Sequence, residues 1–153
     1  MVKPIPEGYH AVTPYLICRD AKRAIEFYQA ALGAKELFRF DAPGGLIGHA
    51  ELQIGDSRIM LADEMPDGPW KSPLSVGGTP VSLMLYVEKV DAVFRRAVDH
   101  GATVIKEVKD QFYGDRSGTV ADPFGHIWTI STNVEEVPME ELKRRAAAAG
   151  QEG

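Results

Sequence analysis

The stretch DAKRAIEFYQAALGA at residues 20–34 decides the fold, because the chain repeats its pattern as EKVDAVFRRAVDHGA at residues 88–102. Both stretches place apolar residues at helical spacing and both end in Gly-Ala, with Gly33 and Gly101 68 residues apart. A repeat at such spacing indicates one supersecondary unit that is used twice. Two units related by a pseudo-two-fold axis can enclose a cavity, and we expect function to lie there.

Short apolar or alternating runs around each helix predict the strands. One strand precedes each helix, at residues 10–19 and 81–87. Three strands follow each helix, at residues 35–41, 46–54 and 57–63 in the first copy and at residues 103–108, 116–122 and 126–132 in the second. The sequence therefore predicts an α+β fold in which two βαβββ modules form an eight-stranded curved mixed sheet around a cup. The helices are expected on the convex side.

By its length the whole chain, residues 1–153, is predicted to be a single domain. Module one covers about residues 9–64, module two about residues 81–134, and a C-terminal helix about residues 138–149. The linker at about residues 65–80 contains four prolines and three glycines. Trp70 lies in its middle, where it is expected either to act as a lid or to seal a dimer contact.

Composition excludes several functional classes. Apolar content of 44% and charged content of 25% are ordinary for a soluble globular protein. The net charge of −5, without a long basic cluster, argues against nucleic acid as a partner. No apolar stretch is long enough to span a membrane. The single cysteine, Cys18, excludes an internal disulfide and is expected to be a core residue, which favours a cytoplasmic location.

Two motifs carry a resemblance to a known family. Residues 122–130, DPFGHIWTI, resemble the turn before the last strand of vicinal-oxygen-chelate domains, and residues 24–28, AIEFY, resemble the first helix of that superfamily. The superfamily includes glyoxalase I, extradiol dioxygenases, and fosfomycin-resistance and bleomycin-resistance proteins. TPYL at residues 13–16, HAEL at residues 49–52 and DQFYGDR at residues 110–116 are most similar to its PhnB-like branch. The resemblance covers about residues 9–134.

The resemblance also indicates where a catalytic metal would bind. Metal-dependent members carry four ligands on the concave side, and these positions correspond here to Thr13, Met60, Ser82 and Thr129. Hydroxyl and thioether groups are poor ligands for zinc, iron or nickel. We therefore expect no metal at the usual site and no cofactor.

A different constellation lies on the predicted strand at residues 46–54. His49, Glu51 and Gln53 alternate along this strand, so their side chains point to the same face. A histidine and a glutamate close together suit proton transfer near neutral pH, so we consider His49 and Glu51 as catalytic residues. They could also hold an atypical divalent metal with a third ligand from His10, Asp115 or His126. Alternatively, they hydrogen-bond to each other or to a bound organic ligand.

Strand alternation and loop composition give a set of residues that would contact a ligand in the cup. The set is mixed, with aromatic and methionine side chains and a few polar groups, as in many small-molecule pockets. The candidate ligand-binding residues are Tyr15, His49, Glu51, Met60, Trp70, Ser82, Met84, Tyr86, Gln111, Tyr113, Arg116 and Thr129.

Three functions remain open from the sequence. The first is a small-molecule-binding protein of the glyoxalase/bleomycin-resistance type that works without the usual catalytic metal. The second is a lyase or isomerase that acts on a small carbonyl compound through His49 and Glu51, with or without an atypical divalent metal. The third is a non-catalytic structural or partner-binding protein whose cup is filled by its own side chains. The resemblance further implies a homodimer, with a small organic molecule as the partner in the cup.

Overall fold

The computed structural model describes the backbone of residues 1–152 and the side chains of residues 1–150. The elements follow the predicted order. They are β1 (Tyr15–Cys18), α1 (Ala21–Leu32), β2 (Lys35–Asp41), β3 (Ile47–Ile54), β4 (Ser57–Asp63), α2 (Pro73–Val76), β5 (Ser82–Tyr86), α3 (Val90–Asp99), β6 (Thr103–Asp110), β7 (Asp115–Ala121), β8 (Ile127–Asn133) and α4 (Met139–Glu152).

The strands confirm the two predicted βαβββ modules. Each module forms its own four-stranded mixed sheet, with strand orders β1-β4-β3-β2 and β5-β8-β7-β6. In each sheet the first strand runs parallel to the last strand of the module, and the other neighbours are antiparallel. The eight strands thus form two four-stranded sheets rather than one continuous hydrogen-bonded sheet. Strand β1 contacts module two through a side chain rather than through strand pairing. His126 Nε2 lies 2.9 Å from the carbonyl oxygen of Ile17.

Each long helix of a module is held at its start by the last strand of that module. The backbone N–H of Ala21 donates to Asp63 Oδ1 at 2.8 Å, and that of Val90 donates to Thr132 Oγ1 at 3.0 Å. Asp20 caps α1 by accepting a bond from the backbone N–H of Arg23. These bonds satisfy N–H groups that have no partner within the helix.

Two segments differ most from the sequence-based prediction, and several other strand bounds differ by one or two residues. Strand β1 begins at Tyr15 rather than at His10, because Pro14 has no N–H to offer a ladder and precedes the first paired residue. The linker contains the short helix α2, which begins at Pro73 and ends before Gly77 at a φ of 86°. Proline at the first position and a left-handed glycine after the last explain this additional turn. None of the described helices is long and apolar enough to cross a membrane.

One hydrophobic core runs through both modules on the helix side of the sheets. The fully buried ring of Tyr28 in α1 lies 5.5 Å from Trp128 in β8, and Phe27 lies 6.4 Å from Phe124 in the turn before β8. Cys18 belongs to this core, and burial raises the pKa of its thiol, as expected for a core cysteine that is not a nucleophile. Aromatic packing across the module boundary therefore fixes how the two modules meet.

The carboxylate of Asp122 lies at this boundary and is 4% exposed. Its Oδ1 accepts the backbone N–H groups of Phe124 at 2.9 Å and His126 at 3.0 Å. Its Oδ2 accepts the Tyr28 hydroxyl at 2.5 Å and the Trp128 indole N–H at 3.0 Å. Burial, followed by the charge of Asp122, raises the pKa of Tyr28 well above its usual range, so the phenol remains a donor. The first residue of the DPFGHIW turn thus joins module two to α1 of module one.

Replacing Asp122 by asparagine should destabilise the whole chain. The side-chain NH₂ group of asparagine would replace a carboxylate oxygen that accepts two hydrogen bonds in the wild type, and it cannot accept them. The free energy of unfolding should therefore fall by about 2–3 kcal/mol. Urea denaturation followed by circular dichroism measures this loss. Asp41→Asn, at an exposed position, is the matched control and should lie within about 0.5 kcal/mol of wild type. Equal stability of the two variants would show that Asp122 does not join the modules.

Candidate ligand-binding site

The two faces of the first sheet have different roles. Leu16, Leu52 and Leu61 point towards α1 and are buried. Their neighbours Tyr15 and Met60 alternate with them on the opposite, concave face, as predicted from the strand pattern. In the register of the sheet, Tyr15 pairs with Met60, Met60 with Glu51 and Glu51 with Phe38. Most of the module-one candidates therefore share one surface.

A hydrogen-bonded chain crosses this surface. His49 Nε2 lies 2.7 Å from Glu51 Oε2, and His49 Nδ1 lies 2.8 Å from the Tyr15 hydroxyl. Because an ionised carboxylate can only accept, the proton of a neutral imidazole is on Nε2, and Nδ1 accepts from Tyr15. Burial raises the pKa of Tyr15, which keeps the phenol in its donor form. The predicted alternative in which His49 and Glu51 bond to each other is the arrangement present.

Three aromatic rings surround the imidazole. The ring centroids of Tyr15, Phe38 and Phe40 lie 5.5, 6.0 and 6.5 Å from that of His49. Phe40 is 64% exposed although it is a large apolar residue. Phe38 and Phe40 are not among the residues predicted from the sequence. The signal was present, because they alternate on the strand at residues 35–41, which pairs with the strand of His49 and Glu51.

A cavity of about 540 Å³ lies next to the hydrogen-bonded series of Tyr15, His49 and Glu51. Its lining residues come from β1, from β3 and β4, and from the first part of the linker. They are Tyr15, Ile17, Gly48, Ala62, Asp63, Met65, Gly68, Pro69 and Trp70. Tyr15 connects the cavity to His49, and Trp70 lies at the rim with 70% of its surface exposed. The position of Trp70 is the one that a lid residue would have.

Glu64 closes the linker segment that carries Trp70 into a loop. Its Oε1 accepts the backbone N–H of Ser72 at 2.5 Å and its Oε2 accepts the Ser75 hydroxyl at 2.8 Å. Its own backbone N–H donates to the carbonyl oxygen of Cys18 at 2.8 Å. The bonds from Ser72 and Ser75 lower the pKa of Glu64. Residues 65–71 therefore form a short loop whose two ends are joined by one side chain.

The candidates of module two lie on the concave face of the second sheet and do not line the cavity beside Trp70. Ser82, Met84 and Tyr86 alternate along β5, and Thr129 lies beside Met84 on β8. The Tyr86 hydroxyl donates to the buried Asp115 at 2.8 Å. This bond, with burial and the charge of Asp115, raises the pKa of Tyr86. The structure therefore separates the predicted set into two surfaces, one on each module.

The loop before β7 contains the remaining candidates. Gln111 and Tyr113 lie in the turn at residues 111–114, where the backbone N–H of Gln111 donates to the carbonyl oxygen of Asp115. Arg116 does not face the concave side. Its guanidinium donates to Asp91 at 2.9 Å and to Asp110 at 3.2 Å, on the helix side of β7.

The position of Arg116 corrects the sequence-based expectation that it contacts a ligand in the cup. Gly118, two residues further along the strand, packs so closely on Phe94 of α3 that a Cβ would lie 2.6 Å from the ring. Residues 116 and 118 share a face, so Arg116 also points towards α3. Strand β7 begins at Asp115, one residue before its predicted start. It is thus Asp115 that faces Tyr86.

The residues at the usual metal positions of this fold do not fit a divalent cation. Thr13 precedes β1, Met60 offers a thioether, Ser82 is an exposed hydroxyl, and Thr129 hydrogen-bonds to Thr119 at 2.8 Å. Within residues 1–150, no three His, Cys, Asp or Glu side chains lie close enough together to hold a metal ion. The candidate third ligands for His49 and Glu51 are elsewhere. His126 bonds to the carbonyl of Ile17, and Asp115 bonds to Tyr86.

Comparison with known proteins agrees with this fold. The sequence model of the Glyoxalase/Bleomycin resistance protein/Dioxygenase superfamily matches residues 9–130. The match spans most of the chain and covers module one and nearly all of module two. The chain belongs to this superfamily.

Individual relatives extend the comparison. The uncharacterized protein Rv0887c of Mycobacterium tuberculosis is 45% identical over 143 residues, which cover 92% of this chain and 84% of the relative. Protein YjdN of Escherichia coli is 29% identical over 150 residues, covering 84% of this chain and 99% of YjdN. The crystal structure of TioX from Micromonospora sp. ML1 shares the fold with a TM-score of 0.64 and 26% identity, over 84% of this chain and 100% of TioX.

Removing the Glu64 carboxylate should release the Trp70 loop. In Glu64→Ala, backbone amides of residues 65–72 should exchange with deuterium at least about tenfold faster than in wild type, because the bond to Ser72 is lost. Hydrogen-exchange mass spectrometry measures the change, and Glu107→Ala at an exposed position of β6 serves as the control. Because these bonds lower the pKa of Glu64, they stabilise the loop fully above the ordinary pKa of a glutamate. They are lost as the pH falls through the lowered pKa of Glu64 in the folded protein. Wild type should therefore show the same loosening at acid pH, and unchanged exchange in Glu64→Ala would contradict the loop closure.

Proposed function

We propose that the protein binds a small, mainly apolar organic molecule on the concave face of module one and acts by sequestering it. The observation that carries this proposal is the cavity of about 540 Å³ between Tyr15 and Trp70. Its volume lies in the range of small-molecule sites, and its lining combines apolar side chains with few polar groups. Met65 and Pro69 supply apolar surface, and the hydroxyl of Tyr15 supplies a polar anchor. The protein requires no metal for this activity.

Hydrogen bonding in the site supports binding over catalysis. A general base needs a free lone pair within reach of the substrate and a pKa near the working pH. Both nitrogens of His49 are already engaged, and burial raises the pKa of Tyr15, which keeps its phenol protonated and unable to accept a proton from a substrate. Asp63 faces the cavity, yet each of its oxygens already accepts a backbone N–H, from Ala21 and from Ile47. The site is thus better prepared to hold a ligand than to remove a proton.

A lyase or isomerase acting on a small carbonyl compound is the second candidate. The bond between His49 and Glu51 favours it, because a carboxylate that orients an imidazole is a common element of proton-transfer sites. Such an enzyme would exchange the proton on the carbon beside the carbonyl with solvent deuterium, which proton NMR detects with dihydroxyacetone as the probe. Exchange that is lost in His49→Ala would establish this activity in place of sequestration. The cavity beneath Trp70 argues against the third candidate, a cup filled by its own side chains.

We further propose that the protein is a homodimer of the PhnB-like branch that works in the cytoplasm. The motifs at residues 13–16, 49–52 and 110–116 support the branch, and the single, buried Cys18 fits a reducing compartment. The dimer is supported by exposed apolar side chains on the concave face of the second sheet, including Met84 and Tyr86. A second copy that covers this face would remove apolar surface from water.

The neutral fluorescent probe N-phenyl-1-naphthylamine tests the binding proposal. Its emission should increase on addition of wild-type protein, because the cavity excludes water from the naphthyl ring. Trp70→Ala should weaken binding at least about fivefold by removing apolar contact, and Ala62→Leu should abolish it by filling the cavity. Fluorescence titration measures both effects.

Phe112→Ala, an exposed aromatic residue of module two, is the matched control for this titration. It should bind the probe as wild type does. Binding that is unaffected by both Trp70→Ala and Ala62→Leu would place the ligand site elsewhere and refute the proposal.

The dimer has its own test. Sedimentation velocity at micromolar concentration should give a species of twice the chain mass. Met84→Lys should shift the population to monomer, because it places a charge in the apolar contact. Lys106→Glu, on the exposed edge strand β6, is the control and should remain dimeric. A monomeric wild type would refute the proposal.

A further inference from the structure

We propose that the ligand of the module-one site is an organic cation, such as an aryl ammonium compound. This inference rests on the proposed function, since it names the class of molecule that the same cavity takes. It follows from the acidic groups and aromatic rings in the cavity and around the neighbouring His49.

The acidic groups at the site are Asp63 and Glu51. Asp63 lines the cavity, and Glu51, which is 8% exposed, is linked through His49 to the lining residue Tyr15. The N-terminus of α1 offsets part of the charge on Asp63, because that carboxylate accepts the first backbone N–H of the helix. The hydrogen-bond partner of Glu51 is His49 rather than a lysine or an arginine. A buried carboxylate without a permanently charged partner favours the approach of a positive charge.

None of the residues that line the cavity is lysine or arginine. Arg58 is on the same face of the first sheet, but its guanidinium donates to Gln53 and to the carbonyl of Glu7 and stacks on the ring of Tyr9 at 4.9 Å. Lys71 follows Trp70 in the chain, is exposed and is not among the lining residues. An anionic ligand would therefore meet carboxylates without a lysine or an arginine to pair with.

Aromatic faces complete the environment. Phe38, Phe40 and Tyr15 surround His49, and Trp70 stands at the rim of the cavity. The face of an aromatic ring carries a partial negative charge and attracts a cation within about 6 Å. A methylated ammonium group loses less hydration than a primary ammonium when it is enclosed by such rings. Aromatic rings together with Glu51 thus match a bulky organic cation better than a neutral compound of the same shape.

Three probes of equal shape and different charge test this inference. They share a benzyl alcohol scaffold and carry at the para position a trimethylammonium, a tert-butyl or a sulfonate group. Isothermal titration calorimetry at pH 8, where an ordinary imidazole is neutral, gives the affinities. The trimethylammonium compound should bind at least about tenfold more tightly than the tert-butyl compound, and the sulfonate should not bind in the same concentration range. Equal affinity of the first two, or tightest binding of the sulfonate, would overturn the inference.

Two variants assign the preference to the named residues. Glu51→Gln should reduce the preference for the cation to less than about threefold, whereas Glu26→Gln on the exposed side of α1 should leave it unchanged. Phe40→Leu should weaken binding of the cation about threefold and of the tert-butyl compound less than twofold. Because Phe40 is largely exposed, this variant keeps the fold, and Phe112→Leu is its control. A charge preference that survives both Glu51→Gln and Phe40→Leu would refute the assignment.

The same titrations separate this inference from the proposed function. If the three compounds bind equally and Trp70→Ala weakens all of them, the cavity is a binding site and only the ligand class is wrong. If none of them binds at millimolar concentration, both the ligand class and the proposed site are refuted.

Discussion

The buried carboxylate of Asp122 is the interaction on which the architecture depends. It accepts four donors, two from the backbone of its own turn and two from Tyr28 and Trp128, which belong to different modules. A buried carboxylate requires such partners, because an unpaired charge in the interior is costly. The helix sides of the two modules are therefore held together. The concave face of each sheet, opposite the helices, does not contribute to the hydrophobic core.

A second buried carboxylate builds the site in a related way. Asp63 joins the starts of α1 and β3 to the end of β4 through the backbone N–H groups of Ala21 and Ile47. Every oxygen of these two carboxylates accepts a hydrogen bond from the protein, so both groups serve the structure rather than chemistry. The chain of Tyr15, His49 and Glu51 remains on the concave face, where it borders the cavity. The polar groups that stabilise the fold are thus different from those that are proposed to contact the ligand.

Much of the fold was predictable because its signals are local. The repeat, the Asp20 cap and strand alternation give the modules and place Tyr15 and His49 on the same face. Other features depend on distant contacts. The loop that carries Trp70 is closed by the side chain of Glu64, and no local pattern encodes that bond. The face of Arg116 depends on the register of β7 with β6 and β8, and a shift of one residue in that register reverses a side chain.

Heteronuclear NMR of the labelled protein with the trimethylammonium probe examines the central claim most directly. The claim is that ligands enter between β1, β4 and the Trp70 loop of module one. Amide shifts should therefore concentrate at residues 15–18, 60–63 and 65–70, with intermolecular contacts between the methyl groups and the indole of Trp70. Shifts confined to the concave face of the second sheet, or to the helix side of the molecule, would contradict it.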